Sequence, residues 1–184
     1  MEIEKLRKEY ELEVDWRPFF LRPDTPPEGT PLPAHIRERS KDPNEPLKLR
    51  AAREGLKMVR GEIIPSTRRA HEAVEFARAR GKLDPLHAAL LKRYWEQGQD
   101  LYKMDVLRGA AVDAGLDPDE LQEALESGTY RSTVEQGVEE GQELGIRAVP
   151  TFVFDGRFAV QGAQELPVFR SAMDELGAKP RFWG

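Results

Sequence analysis

The stretch "VPTFVFDGRFAVQG", residues 149–162, limits the fold more than any other part of the 184-residue chain. Two short runs rich in β-branched and aromatic residues flank Asp155-Gly156, a dipeptide that accepts positive φ at both positions and signals a two-residue type I′ hairpin. Residues 34–144 before it read almost wholly as helix, so the hydrophobic period changes from 3.6 to 2 just after Gly145. Pro150 stands where the first strand begins. Proline cannot donate to a strand ladder, which leaves the start of a strand, a sheet edge or a cis bond serving a site.

Other segments supply the remaining parts. "MEIEKLRKEY" places Ile3, Leu6 and Tyr10 at helical spacing but starts without a cap, like the tail of a longer helix. Leu12, Val14 and Trp16 alternate with polar residues, which predicts a strand over 12–17 that Pro18 ends. The prolines at 18, 23, 26, 27, 31 and 33 make 18–33 an ordered surface loop. In the helical block, Ser66 is the expected cap of "STRRAHEAVEFARAR", and Asp84-Pro85 and Asp117-Pro118 open two more helices with proline in the first turn. Gly81, Gly128 and Gly145 close helices. Leu166, Phe169, Met173 and Leu176 put one apolar stripe on a last helix that should lie on the sheet. The expected fold is α/β: a sheet layer from residues 1–33 and 145–184, with an all-helical subdomain, 34–144, inserted.

Charge and composition exclude several functions. With 33 acidic against 28 basic side chains the net charge is −5, which argues against a general nucleic-acid binder. No apolar run approaches the roughly 18 residues of a membrane span, and the first ten residues lack the apolar centre of a signal peptide, so a cytoplasmic address is expected, without a membrane partner. His35, His71 and His87 are too scattered to propose a metal site, and no cofactor is expected. There is no cysteine at all. That removes disulfides, thiolate ligands and any cysteine nucleophile from these residues.

The order of elements, together with "WRPFFLRPDTPPEG", "STRRAHEAVEFAR" and "GIRAVPTFVFDGRFAVQGAQ", resembles the DsbA-like thioredoxin-fold oxidoreductases, most closely their cytoplasmic FrnE-like branch. The resemblance covers nearly the whole chain. It implies a thioredoxin-like sheet, dithiol–disulfide exchange on thiol- or disulfide-bearing polypeptides, and a cis-proline loop at Val149-Pro150 whose backbone pairs with the bound substrate. Members of that family begin with a strand that runs into a Cys-x-x-Cys motif at the start of the first helix. Both are missing here, and the expectation is that they are encoded just before Met1. Without them the sheet lacks its first strand, and a homo-oligomer through the gap is expected. The motif needs a thiolate stabilised at a helix N-terminus and a second thiol to resolve the mixed disulfide. No residue here substitutes for either, so the chain as given is expected to be inactive in exchange.

Two other readings stay open. One is a relative of the 2-hydroxychromene-2-carboxylate isomerases and kappa-class glutathione transferases, whose key serine is absent from "MEIEKLRKEY". The other is a non-catalytic peptide-binding or chaperone-like module. Further candidates for a groove are Phe19 and Phe20, which leave the sheet near the family's active-site groove, and Arg68 and His71 on one helix. Arg68 and Arg69 are placed to receive a carboxylate such as that of glutathione, against which stands ordinary surface charge.

Overall fold

The computed structural model describes residues 2–181. Its elements, in chain order, are α1 (Glu2–Glu9), β1 (Thr30–Pro31), α2 (Ala34–Lys41), α3 (Pro46–Arg53), β2 (Ile63–Ile64), α4 (Arg68–Arg78) and α5 (Leu83–Trp95). They continue with α6 (Met104–Asp113), α7 (Pro118–Ser127), α8 (Arg131–Glu143), β3 (Thr151–Phe154), β4 (Phe158–Gln161) and α9 (Leu166–Glu175). The chain divides into two compact units: Met1–Leu21 with Glu139–Gly184, an α/β unit, and Arg22–Val138, a helical unit.

The helical unit is built around Phe76, Leu86, Leu107 and Leu121, all fully buried. Alanines 73, 77, 110 and 111 sit among them and let α4 and α6 pack their backbones close to neighbouring helices. α7 has the termini its sequence promises. The Asp117 carboxylate accepts from the N–H groups of Asp119 and Glu120, Pro118 takes the first turn, and Gly128 ends the helix at φ 67°. The other two expected starts shift. Thr67, not Ser66, is the cap residue of α4 and makes no side-chain cap bond, while Ser66 is buried. α5 begins at Leu83 behind Lys82, so Asp84 lies inside the first turn.

A short ladder joins residues of the expected 18–33 loop to the helical unit. β1 and β2 pair antiparallel, Thr30 with Ile64 and Pro31 with Ile63. Leu32 N–H then donates to the Glu62 carbonyl at 2.9 Å. Gly29 leads into this pair at φ 76°, and a Cβ there would lie 2.8 Å from the Ile64 carbonyl oxygen, so the close approach needs glycine.

In the α/β unit, β3 and β4 form an antiparallel hairpin with Thr151 opposite Gln161 and Phe154 opposite Phe158. Asp155 and Gly156 both have positive φ, 52° and 65°, as a type I′ turn requires. The Arg157 N–H donates to the Phe154 carbonyl at 2.9 Å and closes this two-residue turn, while the ladder pairs Phe154 with Phe158, so Arg157 is one extra residue between turn and ladder. Phe152, Phe154 and Val160 face α1 and α9, where Leu6, Tyr10, Phe169 and Met173 make a small buried core. The Phe152 and Phe169 rings meet edge to face at 5.0 Å. Leu166, Phe169 and Met173 join this core, whereas Leu176 caps α9 and is half-buried. Glu9 receives a two-pronged ion pair from Arg170, at 2.7 and 2.5 Å, which ties α1 to α9. The strand expected at 12–17 does not form. Leu12, Val14 and Trp16 are half-buried between exposed Glu11, Glu13, Asp15 and Arg17, so the alternation is real, but among the described residues this segment joins no β-ladder.

Candidate substrate-binding loop

Residues 146–151 join α8 to the hairpin. The Val149–Pro150 peptide bond is cis. Two hydrogen bonds fix the loop on either side of it: Gly162 N–H donates to the Pro150 carbonyl at 2.8 Å, and the Thr151 hydroxyl donates to the Ala148 carbonyl at 2.7 Å. Val149 remains 47% exposed. The loop thus presents a fixed backbone and an apolar side chain to solvent, which suits recognition of an extended chain through main-chain bonds.

Phe19 and Phe20 belong to the same unit and are half-buried. The Phe19 ring lies against Gly141 of α8, 3.8 Å from where a Cβ would stand. Next to it, Arg17 bridges the carboxylates of Asp15 and Glu140. Arg68 and His71 fall in the helical unit. Arg68 donates to the Pro23 carbonyl at 3.1 Å, and Arg69 stacks its guanidinium 4.5 Å from the Tyr102 ring centroid. Both guanidinia are therefore engaged within the unit. The expected groove residues divide between two units, with Phe19, Phe20, Val149 and Pro150 in one and Arg68 and His71 in the other.

One titratable residue escaped the sequence reading. Glu72, on α4, is only 6% exposed, and its Oε2 has no hydrogen-bond partner among the described residues. Burial pushes its carboxyl above the ordinary range, with Glu135 adding to the rise and Arg131, Arg69 and Arg68 opposing it. His87 is shifted the other way, its pKa lowered by burial and partly restored by Asp84. No sequence signal marks Glu72, because α4 buries every residue from Glu72 to Ala77, polar and apolar alike.

The chemistry open to these residues has a firm limit. With no cysteine, the chain offers no thiol to attack a disulfide or to carry one. Among the described residues, no three His, Asp or Glu side chains converge to hold a metal ion, and no helix is long and apolar enough to cross a membrane.

A hairpin packed on a terminal helix, with a cis X-Pro bond at its first strand and a helical unit inserted before it, defines the class: a thioredoxin-type fold with a helical insertion. Residues 1–174 match the model of the DSBA-like thioredoxin domain, and the chain belongs to that family. It is similar to a probable DsbA oxidoreductase from Streptomyces coelicolor, at 26% identity and a TM-score of 0.80 over 94% of this chain and 79% of that one. A putative protein disulfide isomerase from Nitrosomonas europaea shares the fold at a TM-score of 0.72 and 18% identity, over 95% of this chain and 87% of the other. The uncharacterized protein YwbO from Bacillus subtilis is 27% identical over 181 residues, 94% of this chain and 86% of YwbO.

Proposed function

We propose that the protein works in thiol–disulfide exchange of the DsbA type, and that residues 1–184 engage the polypeptide substrate without contributing the reacting sulfur. The observation that carries this reading is the family match over residues 1–174, set beside a cysteine count of zero. Val149 and Thr151 are the backbone positions offered to substrate, with Phe19 and Phe20 as apolar neighbours in the same unit. By resemblance to the FrnE-like branch, the work belongs in the cytoplasm, on polypeptides that carry thiols or disulfides. The absence of cysteine also favours a second reading, a peptide-binding module that turns nothing over.

Binding is the first thing to measure. Titration of the purified chain with an extended, cysteine-free apolar peptide, followed by amide NMR, should shift Ala148, Val149 and Thr151 first. The thioredoxin-type reading of the loop fails if the shifts arise only in the helical unit, or if saturating peptide moves nothing.

A further inference from the structure

Within the helical unit, α2 and α3 stand on a narrow stem. On its outgoing side Leu32 is buried, and its N–H donates to the Glu62 carbonyl at 2.9 Å beside the two-residue ladder of β1 and β2. On the returning side Val59 N–H donates to the Trp95 carbonyl at 2.6 Å. A Cβ on Gly61 would lie 2.9 Å from the Gly98 carbonyl oxygen, so this limb presses backbone to backbone on the turn after α5. Between the limbs the packing changes. Every other described helix buries at least one residue, whereas α2 and α3 bury none. From 33 to 64 the one buried residue is Glu45, in the turn between these two helices.

A carboxylate thus sits where apolar side chains normally do the holding. Glu45 is 3% exposed, and its pairing is incomplete. Its Oε1 lies 3.5 Å from the Nη2 of Arg60 and 3.4 Å from the Nε of Arg39. Its Oε2 and the Nε of Arg60 have no hydrogen-bond partner among the described residues. An ion pair matched this loosely recovers little of what it costs to take both charges out of water. Apolar burial does not offset that cost, since Leu47, Leu49 and Leu56 are each more than 40% exposed.

We infer that residues 33–58 form an arm that opens as one piece, with hinges beside Leu32 and Val59 and with Glu45 on Arg60 as its latch. The arm is tied internally: Lys48 of α3 donates to the Ser40 carbonyl at the end of α2, and Arg39 of α2 pairs with Glu45. The stem bonds persist in both states, so the balance turns on the latch. Opening returns Glu45 and Arg60 to water and bares the guanidinium that lies over the Trp95 ring, 5.9 Å from its centroid. Arm, stem and latch all fall within Arg22–Val138, so the device is independent of the candidate substrate loop.

Residue-resolved amide exchange on the full chain is the test. The helical amides of α2 and α3 should share one opening equilibrium and lose protection together, ahead of α4 to α7. Glu45→Gln leaves Arg60 buried without a countercharge and should speed exchange across both helices about tenfold, with α4 to α7 unchanged. Replacing both latch residues, Glu45→Met with Arg60→Met, sets an apolar pair in place of the charges and should make exchange in the arm slower than in Glu45→Gln. A merely additive loss of contacts would make the double variant the looser of the two. The inference is overturned if α2 and α3 open only when the whole unit unfolds. It is overturned equally if Glu45→Gln leaves both helices unchanged or alters only the amides beside residue 45, or if the double variant exchanges no more slowly than the single one.

Discussion

The helical unit and the α/β unit reach burial by different routes. In the helical unit one continuous core runs through α4, α5, α6 and α7, and short local signals, the Asp117 cap and the Gly128 stop among them, decide where each helix lies. In the α/β unit only Leu6, Tyr10, Phe169 and Met173 are buried in the core cluster, and the sheet above them has two strands. A hairpin by itself is marginal in water and relies on the helices it packs against. The lesson is that the unit bearing the candidate loop is the weaker one, held by a few aromatic contacts and the Glu9–Arg170 pair.

The severest way to break the contrast is to cut each core at its centre. Phe169→Ala removes the ring that touches both Phe152 and Phe154, at a cost of about 3–5 kcal/mol. In so small a core it should melt the α/β unit while the helical unit stays folded. Leu107→Ala, at about 2–5 kcal/mol, should lower the helical unit's transition without a separate early step. Residue-resolved amide exchange of both variants checks this, and equal loss of protection in both units after Phe169→Ala would erase the distinction.

A smaller effect sharpens it from the other side, through Glu72 in the helical unit. Its folded pKa lies above the ordinary value of 4.5, so the native state holds a proton that the unfolded chain releases. Stability from this group is accordingly full below pH 4.5 and is lost as pH rises through the raised value. Glu72→Gln keeps the shape and removes the charge. It should raise the helical unit's stability at neutral pH, because the neutral amide avoids the cost of burying a carboxylate. The gain should shrink as the pH is lowered toward 4.5. Denaturant titrations at a series of pH values provide the check.

Least costly is the loss of a cap. Asp117→Ala leaves the Asp119 and Glu120 N–H groups without their acceptor and should cost about 1 kcal/mol, read as a lower denaturation midpoint with unchanged slope. The effect should be confined to the helical unit.

These differences also explain what could be read from residues alone. Asp117 and Gly128 act on neighbours within one turn, so a short window of sequence contains all that decides them. The pairing of Thr30 with Ile64 involves two residues on each side and a long intervening segment, and no local pattern announces it. The alternation at Leu12, Val14 and Trp16 was legible as burial and misleading as a strand, because a strand also needs a neighbour to bond with. In the hairpin, Asp155 and Gly156 adopt the positive φ the dipeptide favours and Arg157 N–H closes the turn, while the extra residue this leaves before the ladder is set by register, which the turn residues do not fix by themselves. The cis bond at Val149–Pro150 follows from the family resemblance. The division of Phe19 and Phe20 from Arg68 and His71 into separate units needed coordinates. Glu72 lay hidden because only packing reveals a carboxylate in the stretch of α4 that is buried throughout, residues 72–77.

The central claim is that these residues carry a thioredoxin-type scaffold and a candidate substrate loop but no thiol chemistry. Oxidation of a reduced dithiol peptide by the purified 184-residue chain, followed across the neutral and alkaline range, tests it most directly. The expected rate equals that of the protein-free blank at every pH, since no thiolate exists to form the mixed disulfide. Turnover proportional to the concentration of this chain, after contaminating oxidoreductases have been removed, would contradict it.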